Sequence, residues 1–373
     1  MKRLVLVGAG HAHLATIHGI AALRRRGVAV TVIDPEENLW YSGMAPAGVG
    51  GGVADRALYI PVAGLVRRGG GEFIRDRVSR IDAEGRRVDV GGRSLSFDVL
   101  SCAIGSRVNA PIPVLPGAPP PIGAKPIRAL INDAAESLIS GTTRVVLVGG
   151  GPSAVELAGA FLTRGAAVTV VTGGASLARR LPAEAGRIAL DNLLRRGADV
   201  RFESPVSAID PTGVVVPGGH IRADRVVLAT GLRVGALFAE SGLPVAPDGA
   251  LRVDRTLRVP GTPVFAGGDC ADVADYALRR AGVHAIRQGP VLRRNIAAML
   301  RDDTARLDEY TPPPSFLLIL NLGDGSAICT RRDRVRYGRW CAILKLRIDW
   351  AFVRSRGRRI VPSLLGPPRR RDA

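Results

Sequence analysis

Several residue types are scarce in this sequence. The chain has only four cysteines, and no two of them have CxxC spacing: Cys102, Cys270, Cys329 and Cys341. A zinc knot and a dithiol redox centre therefore have no sequence signature, and we interpret the cysteines as small buried apolar residues. Aromatic residues make up 4% of the chain and do not alternate with basic ones, so we expect no nucleic-acid partner. No run of about 18 apolar residues occurs, so no transmembrane helix is predicted.

Lysine is the scarcest charged residue, so arginine carries most of the positive charge. The chain has 52 Lys and Arg against 33 Asp and Glu, a formal net charge of +19, but its lysines are only Lys2, Lys125 and Lys345. Residues 331–373 alone hold 14 basic and 3 acidic side chains. A surface of this kind favours anionic partners.

The remaining composition is typical of a globular protein. Hydrophobic residues make up 46% and charged residues 23% of 373 residues, which predicts two or three domains. The start of the chain resembles a signal peptide, but its apolar run ends at Gly8 and histidines follow at once, so we expect no export. The unpaired cysteines fit a reducing compartment, and a cytoplasmic location is expected.

The first 34 residues have the pattern of a βαβ unit. An apolar strand (residues 4–7) leads through a glycine turn into an amphipathic helix with Leu14, Ile17, Ile20 and Leu23. A second strand follows at residues 28–33.

The same pattern occurs a second time. Residues 145–148 predict a strand, residues 149–151 a glycine turn, residues 153–162 a helix and residues 167–171 a strand. The likeness extends downstream, where residues 73–82 match 201–210 and residues 102–105 match 228–231. Two homologous nucleotide-binding domains are the simplest explanation.

The segments around this repeat predict how the two domains connect. Residues 108–126 are rich in proline and predict a linker between domains. Residues 262–265 predict one more strand, which has no half-domain of its own, so we expect it to rejoin the first domain with the second inserted. Residues 316–322 and 327–330 predict a strand pair, and residues 338–354 a helix.

The two glycine turns predict dinucleotide binding. A pyrophosphate binds to backbone N–H groups at a helix N-terminus, and glycine allows that close approach. The second copy has the spacing through Gly149, Gly151 and Ala154. The first has Gly8 and Gly10 but His13 at the third position, and Asp34 ends its second strand, where a carboxylate binds ribose hydroxyls. His11 and His13 have no partners at metal-ligand spacing, so no metal site is predicted and helix-start packing or phosphate contact is favoured.

The motifs resemble those of the two-dinucleotide-domain flavoprotein NAD(P)H oxidoreductases, in particular the type II NADH dehydrogenase-like branch. The resemblance covers roughly residues 1–355. Within that branch, residues 8–13 (GAGHAH), 41–44 (YSGM) and 281–288 (AGVHAIRQ), with Trp340, Lys345 and Asp349, are similar to the subgroup associated with selenide, water dikinase. The fold implied is α/β, with two Rossmann-like three-layer domains and a small α+β C-terminal region.

The resemblance implies FAD in the first domain, formed by residues 1–113 and 241–300. It implies contacts from a set of residues in the family's FAD motifs and near the flavin: Gly8, Gly10, His11, Asp34, Met44, Val78, Ala103, Gly105, Gly268, Asp269 and His284. Asp34 is expected on the adenosine ribose, Val78 beside the adenine and Asp269 on the ribityl chain. The helix starting near His284 is expected to direct its positive end at the flavin; a surface helix position is the alternative for this histidine.

The resemblance also implies NAD(P)H in the second domain, residues 114–240. The expected contacts come from the second glycine turn and two positions near it: Gly149, Gly151, Ser153, Ala154, Thr172 and Gly231. Glu156 is expected to reach the nicotinamide as the catalytic residue, the alternative being a helix-start charge. Thr172 stands where an acidic residue would indicate NADH, and Arg179 and Arg180 follow, so the choice between NADH and NADPH stays open.

These parts indicate an FAD-dependent NAD(P)H dehydrogenase that passes electrons to a quinone-like acceptor. Hydride transfer between stacked rings needs positioning more than side-chain chemistry. The alternatives are the same fold with a sulfide- or oxygen-linked acceptor, and a flavin-binding redox sensor without turnover. The oligomeric state is not predicted.

The C-terminal region, residues 301–373, is expected to meet an interface. On a helical wheel one apolar stripe contains Trp340, Leu344, Ile348 and Phe352, a second contains Ile343, Leu346, Trp350 and Val353, and between them lie Lys345, Arg347, Asp349 and Arg354. One stripe is expected to pack on the protein and the other to enter the interface of an anionic membrane, as a peripheral contact. A buried closing helix or a subunit interface, followed by a disordered basic tail, is the alternative.

Overall fold

The computed structural model describes residues 1–53, 57–137, 143–303, 305 and 307–358. Its strands, in chain order, are β1 (Lys2–Val7), β2 (Val28–Ile33), β3 (Leu39–Trp40), β4 (Tyr59–Ile60), β5 (Glu72–Ile74), β6 (Val78–Asp82), β7 (Arg87–Val90), β8 (Arg93–Ser96), β9 (Val99–Cys102), β10 (Arg107–Val108), β11 (Ile122–Gly123), β12 (Arg144–Val148), β13 (Ala167–Val171), β14 (Asp199–Arg201), β15 (Ala208–Asp210), β16 (Gly213–Val216), β17 (Gly219–Arg222), β18 (Arg225–Leu228), β19 (Leu232–Arg233), β20 (Leu251–Val253), β21 (Val264–Ala266), β22 (Ala271–Val273), β23 (Leu318–Asn321), β24 (Ala327–Arg331) and β25 (Arg334–Gly338).

The helices are α1 (Leu14–Ile17), α2 (Ile20–Arg24), α3 (Ala45–Val49), α4 (Val62–Arg68), α5 (Ile127–Ser137), α6 (Pro152–Thr163), α7 (Ala183–Arg195), α8 (Leu237–Glu240), α9 (Gly282–Met299) and α10 (Arg339–Arg358). Short 3-10 turns occur at His11–His13, Ser42–Met44 and Gly268–Cys270.

The first sheet is parallel, with strand order β21-β9-β1-β2-β5. Its central strand is buried from Leu4 to Val7, as expected for a parallel strand with both faces covered. The edge strand β21 pairs with β9 although it lies beyond the whole second sheet in the sequence. The late apolar strand therefore joins the first sheet, two residues further along the chain than its predicted start.

The second sheet repeats the first. Its order is β11-β18-β12-β13-β14, and all its pairings are parallel. Each of the two sheets is accompanied by a three-stranded antiparallel meander, β6-β7-β8 and β15-β16-β17 respectively. The internal repeat in the sequence is therefore a repeat of topology, and the fold is the predicted α/β arrangement with parallel Rossmann-type sheets.

Two segments differ from their predicted form. The first helix is divided into a 3-10 turn, α1 and α2, with Gly19 between the two α-helices, because glycine is the weakest helix former after proline. The predicted linker at residues 108–126 is more than a connection, since Ile122–Gly123 forms the edge strand of the second sheet.

The C-terminal region is a three-stranded antiparallel sheet, β23-β24-β25, followed by α10. The sequence predicted two of these strands, and the third, Arg334–Gly338, was missed because arginine fills its exposed positions. In the described part of the chain, no helix is long and apolar enough to cross a membrane.

The face of α10 that packs on the protein is not an apolar stripe. Cys341, Asp349 and Val353 are buried, and the side chain of Lys345 is 13% exposed. The structure therefore has Lys345 and Asp349 on the packed face, where the sequence predicted an apolar stripe. They lie in the buried seam because they pair with each other, while the apolar residues that remain exposed are Trp340, Ile343, Leu346, Ile348 and Trp350.

Candidate active site

A cleft with a volume of about 1540 Å³ lies where the two parallel sheets meet. Both glycine turns line it, together with the turn after β9, the turn after β18 and the turn after β21. These turns all follow the carboxyl ends of parallel strands, where open α/β sheets bind their ligands. One cleft therefore contains both of the nucleotide-binding turns that the sequence predicts.

The first glycine turn packs directly against the chain after β9. A Cβ atom at Gly8 would lie 2.6 Å from the carbonyl oxygen of Ala103, and one at Gly10 would collide with the same oxygen. Gly8 also has a φ of +82°, which side chains with a Cβ rarely adopt. Glycine is therefore required here by close packing as well as by access of a ligand to the backbone.

Asp34 links the end of β2 to this turn. Its carboxylate accepts a 2.7 Å hydrogen bond from the backbone N–H of Ala9 and a 2.8 Å bond from that of Glu36. Burial raises the pKa of Asp34, and the two N–H donors oppose that rise. The side chain lies in the cleft wall.

The second glycine turn has the same construction with more open space. A Cβ atom at Gly149 would collide with the carbonyl oxygen of Ala229, whereas one at Gly151 would have no atom within 4 Å. α6 begins directly after Gly151, and Ser153 is exposed in its first turn. The positive end of this helix therefore opens into the cleft, the arrangement that binds a phosphate.

Lys125 and Asp269 form an ion pair inside the cleft. The Lys125 Nζ lies 2.7 Å from Asp269 Oδ2, and the Ser106 hydroxyl donates to the same oxygen at 2.7 Å. Burial disfavours the charge on Asp269, but Lys125 and Ser106 together outweigh it and lower the pKa of Asp269. The carboxylate is thus kept ionised at the end of the first sheet.

Glu156 and Lys345 form a second charged group in the cleft wall. Glu156 accepts a 2.9 Å hydrogen bond from the backbone N–H of Asn321. Burial raises the pKa of Glu156, while Lys345 and this N–H oppose the rise. Burial also disfavours charge on Lys345, but Glu156 and Asp349 outweigh it and raise the pKa of Lys345. Each of the two side chains therefore favours the charged form of the other.

Lys345 is fixed by two hydrogen-bonded contacts. Its Nζ donates to the carbonyl oxygen of Gly43 at 2.7 Å and pairs with Asp349 at 2.9 Å. Asp349 in turn accepts a 2.9 Å bond from the Tyr41 hydroxyl, and burial with this carboxylate raises the pKa of Tyr41. The segment around Tyr41 and Gly43 is thereby joined to α10.

The three histidines singled out from the sequence have different surroundings. His11 stacks against Phe352 at 5.8 Å between ring centroids, and its Nε2 is buried without a hydrogen bond to the described residues. His13 bonds the Gly8 carbonyl oxygen at 2.6 Å and the Ser101 hydroxyl at 2.8 Å. Burial lowers the pKa of each of these two histidines to about 4. His284 bonds the Tyr310 hydroxyl at 2.8 Å and is 7% exposed.

Most of the predicted site residues line the cleft: Gly10, His11, Asp34, Ala103, Gly105, Gly149, Gly151, Ser153, Glu156, Thr172, Gly231, Gly268 and Asp269. Five others do not: Gly8, Met44, Val78, Ala154 and His284. Of these, Gly8, Met44, Ala154 and His284 are buried, and Val78 is half-buried on β6.

Lys125 was not among the residues predicted from the sequence, and Lys345 was not expected to be buried. The sequence signal for both was the scarcity of lysine, with only three in an arginine-rich chain; two of the three line this cleft. No cysteine of the described residues lines it, and the four free thiols are buried. Within the described residues, no group of three or more His, Cys, Asp or Glu side chains is arranged to hold a metal ion.

The family model described as pyridine nucleotide-disulphide oxidoreductase matches residues 2–289. The chain belongs to this family. Membership confirms the predicted cofactors, FAD and NAD(P)H. Two features of the site fit such groups: the open space above Gly105 and Gly151, where a Cβ atom would have no atom within 4 Å, and the buried, unbonded Nε2 of His11 beside the first turn.

Curated family members show moderate similarity. The chain is 30% identical over 218 residues to the nitric oxide reductase FlRd-NAD(+) reductase of Escherichia coli, a match that covers 55% of each chain. It is 26% identical over 320 residues to the NADH oxidase of Enterococcus faecalis, covering 79% of this chain and 70% of that one. The match to the first relative thus spans about half of its length.

Solved structures show the same fold. The sulfide:quinone oxidoreductase of Aquifex aeolicus has a TM-score of 0.79 at 18% identity and covers 97% of this chain and 93% of its own. NDH2 of Plasmodium falciparum also has a TM-score of 0.79, at 14% identity, with 96% and 99% covered. At this level of identity the likeness concerns the fold.

Proposed function

We propose that this chain is an FAD-dependent NAD(P)H dehydrogenase of the type II kind, with a quinone-like electron acceptor. The observation that carries the proposal is that two glycine turns, one from each parallel sheet, open into one cleft. FAD bound at the first turn would supply the chemistry for accepting hydride from a nicotinamide and for passing electrons to a second acceptor. The sulfide:quinone oxidoreductase of Aquifex aeolicus, which has the same fold, supports the choice of acceptor.

The first turn and its neighbours are proposed to hold FAD. Gly8 and Gly10 would bind the pyrophosphate through the backbone, and Asp34 the adenosine ribose, with Val78 near the adenine. Ala103, Gly105, Gly268, Asp269 and His11 would surround the flavin end, with Met44 and His284 supporting them. The FAD-binding unit in this proposal comprises residues 1–113 and 241–300, around an NAD(P)-binding unit of residues 114–240.

The second turn is proposed to hold the nicotinamide dinucleotide. Gly149, Gly151, Ser153 and Ala154 would bind its pyrophosphate, with Thr172 and Gly231 along the remainder. Glu156 would position the nicotinamide, since its carboxylate is fixed by Asn321 and faces Lys345. The contribution of these residues is orientation, which is the main requirement of hydride transfer.

The quinone-like acceptor is proposed to bind at the apolar end of the cleft. Phe316, Leu318 and Leu320 line this end together with Lys345. Apolar walls with one ammonium group suit a flat, lipophilic acceptor with a polar carbonyl. The absence of cysteine from the described cleft wall argues against a sulfide-linked acceptor, which needs a thiol at the flavin.

The exposed side of α10 is proposed to contact an anionic membrane surface, where quinones are available. Trp340, Ile343, Leu346 and Trp350 remain exposed along it, and exposed arginines flank them, with the Arg354 guanidinium 5.6 Å from the Trp350 ring centroid. Apolar residues with flanking arginines are typical of interfacial helices. The basic segment 359–373, expected to join this contact, lies outside the described residues.

The link to the subgroup associated with selenide, water dikinase is part of this proposal. It depends on the motifs at residues 8–13 and 41–44 and on the residues of α10 that contact them. The contacts of Tyr41 with Asp349 and of Gly43 with Lys345 support it, because they join these separated motifs in space.

Anaerobic spectroscopy tests the function. The purified protein is expected to be yellow, to bleach on addition of NADH or NADPH, and to regain its colour with a soluble quinone. Recovery with oxygen or a sulfur compound and not with quinones would contradict the quinone assignment. A coloured protein that neither nucleotide bleaches would instead indicate the redox sensor, and a colourless protein that takes up no FAD would refute the proposal.

A further inference from the structure

The end of β13, the second strand of the second sheet, can be compared with its counterpart in the first sheet. Asp34 follows β2 and accepts the N–H of the residue two positions on, Glu36, at 2.8 Å. Thr172 follows β13, and its Oγ1 accepts the N–H of Gly174 at 3.1 Å. In both sheets, a side-chain oxygen accepts the same backbone N–H at the end of the strand. The oxygen belongs to a charged carboxylate in the first sheet and to a neutral hydroxyl in the second.

The charge at this position matters because the residue after the second strand contacts the adenosine ribose of a bound dinucleotide. A carboxylate there binds the two free hydroxyls of an adenosine ribose and repels a phosphate on the 2′ oxygen. Thr172 is 8% exposed and lies against Gly150 of the glycine turn. The second site therefore has the geometry of the first and lacks the charge that excludes a 2′-phosphate.

Two arginines are held beside this position. The backbone N–H of Ala178 donates to the carbonyl oxygen of Gly150 at 2.7 Å, which fixes the following residues next to the glycine turn. Arg179 and Arg180 are exposed, and both line the cleft. The Arg179 Nη1 lies 3.8 Å from the place of a Cβ atom on Gly174, so its guanidinium lies over the end of β13.

The charges around these arginines leave them available to an anion. No ion pair among the described residues involves either of them. In the adjoining loop, Glu203 is exposed and lies outside the cleft wall. A free guanidinium binds phosphate with two parallel hydrogen bonds.

We infer that the nicotinamide donor of this protein is NADPH, with Arg179 as the principal ligand of the 2′-phosphate and Thr172 as the residue that permits it. Arg180 adds positive charge at the mouth of the same site. The inference rests on the proposed function for its identification of a nicotinamide donor. The recognition of the 2′-phosphate, however, depends only on the end of β13.

Calorimetric titration of the protein as purified, with 2′,5′-ADP and with ADP as probes, tests the inference without turnover. The wild-type protein is expected to bind 2′,5′-ADP at least about tenfold more tightly than ADP. Arg179→Ala is expected to weaken the binding of 2′,5′-ADP about tenfold and to change the affinity for ADP by less than about twofold. Arg187→Ala, which removes an exposed arginine of α7 outside the cleft, is the matched control and should match the wild type.

A second variant tests the inference from the opposite direction. Thr172→Asp restores the carboxylate that the first sheet has and should reverse the preference, so that ADP binds more tightly than 2′,5′-ADP. Equal affinity of the wild-type protein for the two probes, or equal weakening of both by Arg179→Ala, would overturn the inference. If neither NADH nor NADPH reduces the flavin but 2′,5′-ADP still binds preferentially, the proposed function fails and the 2′-phosphate site stands.

Discussion

The Tyr41 hydroxyl donates a 2.9 Å hydrogen bond to Asp349, a residue 308 positions away in the sequence. Asp349 binds Lys345 through its other carboxylate oxygen at 2.9 Å, and Lys345 binds the Gly43 carbonyl oxygen. One buried carboxylate therefore holds both a lysine of the cleft and the segment that precedes α3. The C-terminal helix is joined to the first sheet's side of the cleft by polar contacts.

Asp349→Ala is expected to destabilise the protein strongly. The substitution leaves Lys345 buried without its ion-pair partner and Tyr41 without its acceptor, and removal of one member of a buried pair costs about 3 kcal/mol or more. Urea unfolding measures the change. The control is Lys2→Ala, which breaks the exposed pair with Asp302 and should cost less than about 1 kcal/mol. Equal losses in the two variants would contradict the buried role of Asp349.

Glu156→Gln is expected to slow reduction of the flavin and to leave the flavin content unchanged. Glutamine still accepts the Asn321 N–H but does not attract Lys345, so the nicotinamide contact is displaced. Displacements of this kind reduce rates by about tenfold to a hundredfold. Stopped-flow absorbance measures the rate. Glu184→Gln, at an exposed position of α7, is the control, and an unchanged rate in Glu156→Gln would exclude a positioning role.

Gly10→Ala and Gly151→Ala are expected to differ in stability. The added methyl group collides with the Ala103 carbonyl oxygen at Gly10, whereas at Gly151 it has no neighbour within 4 Å. Overpacking of this kind costs about 1–3 kcal/mol, so Gly10→Ala should lower the Tm and lose FAD, while Gly151→Ala should retain both. Flavin absorbance per chain and thermal unfolding measure the two effects. A normal Tm and flavin content in Gly10→Ala would show that the first turn can rearrange.

His13 is expected to make the protein sensitive to mild acid. Burial lowers its pKa from 6.5 to about 4, so below pH 6.5 the unfolded chain binds a proton that the folded chain does not bind. The free energy of unfolding therefore has its full value above pH 6.5 and decreases as the pH falls toward 4. At pH 5 this residue accounts for a decrease of about 2 kcal/mol. His13→Gln should flatten the pH dependence of urea unfolding by that amount. An equally steep pH dependence in His13→Gln would refute the assignment.

The exposed side of α10 is expected to bind anionic vesicles. Replacement of Ile343, Leu346 and Trp350 by serine removes its apolar side chains without touching the buried Lys345 or Asp349, and should abolish flotation with phosphatidylglycerol vesicles. Leu194→Ser, at a residue that is 49% exposed on α7, is the control and should float as the wild type does. If the triple variant floats unchanged, α10 is not the membrane contact.

The sequence predicts the fold well because each sheet depends on local patterns. The apolar runs of β1, β2, β12 and β13 lie within one or two residues of their predicted bounds, since each run is bounded by a glycine turn or a charged residue. The repeat of these patterns also predicts the repeated topology. The return of β21 to the first sheet was predicted from the absence of a third half-domain, whereas its pairing with β9 was not.

The parts of the site that depend on distant contacts could not be predicted. No local pattern relates Lys125 to Asp269, or Tyr41 to Asp349, because each pair forms only when separate turns meet in the folded chain. The helical wheel of α10 gave the wrong buried face for the same reason. A wheel ranks residues by hydrophobicity, and here the buried seam contains a lysine and an aspartate that neutralise each other.

The pairing of β21 with β9 has a consequence for biosynthesis. The last strand of the second sheet ends at Leu228, whereas the first sheet needs Val264–Ala266 for its edge. During synthesis on the ribosome, all strands of the second sheet are therefore made before the last strand of the first sheet. This reverses the usual order, in which the N-terminal unit of a protein folds first.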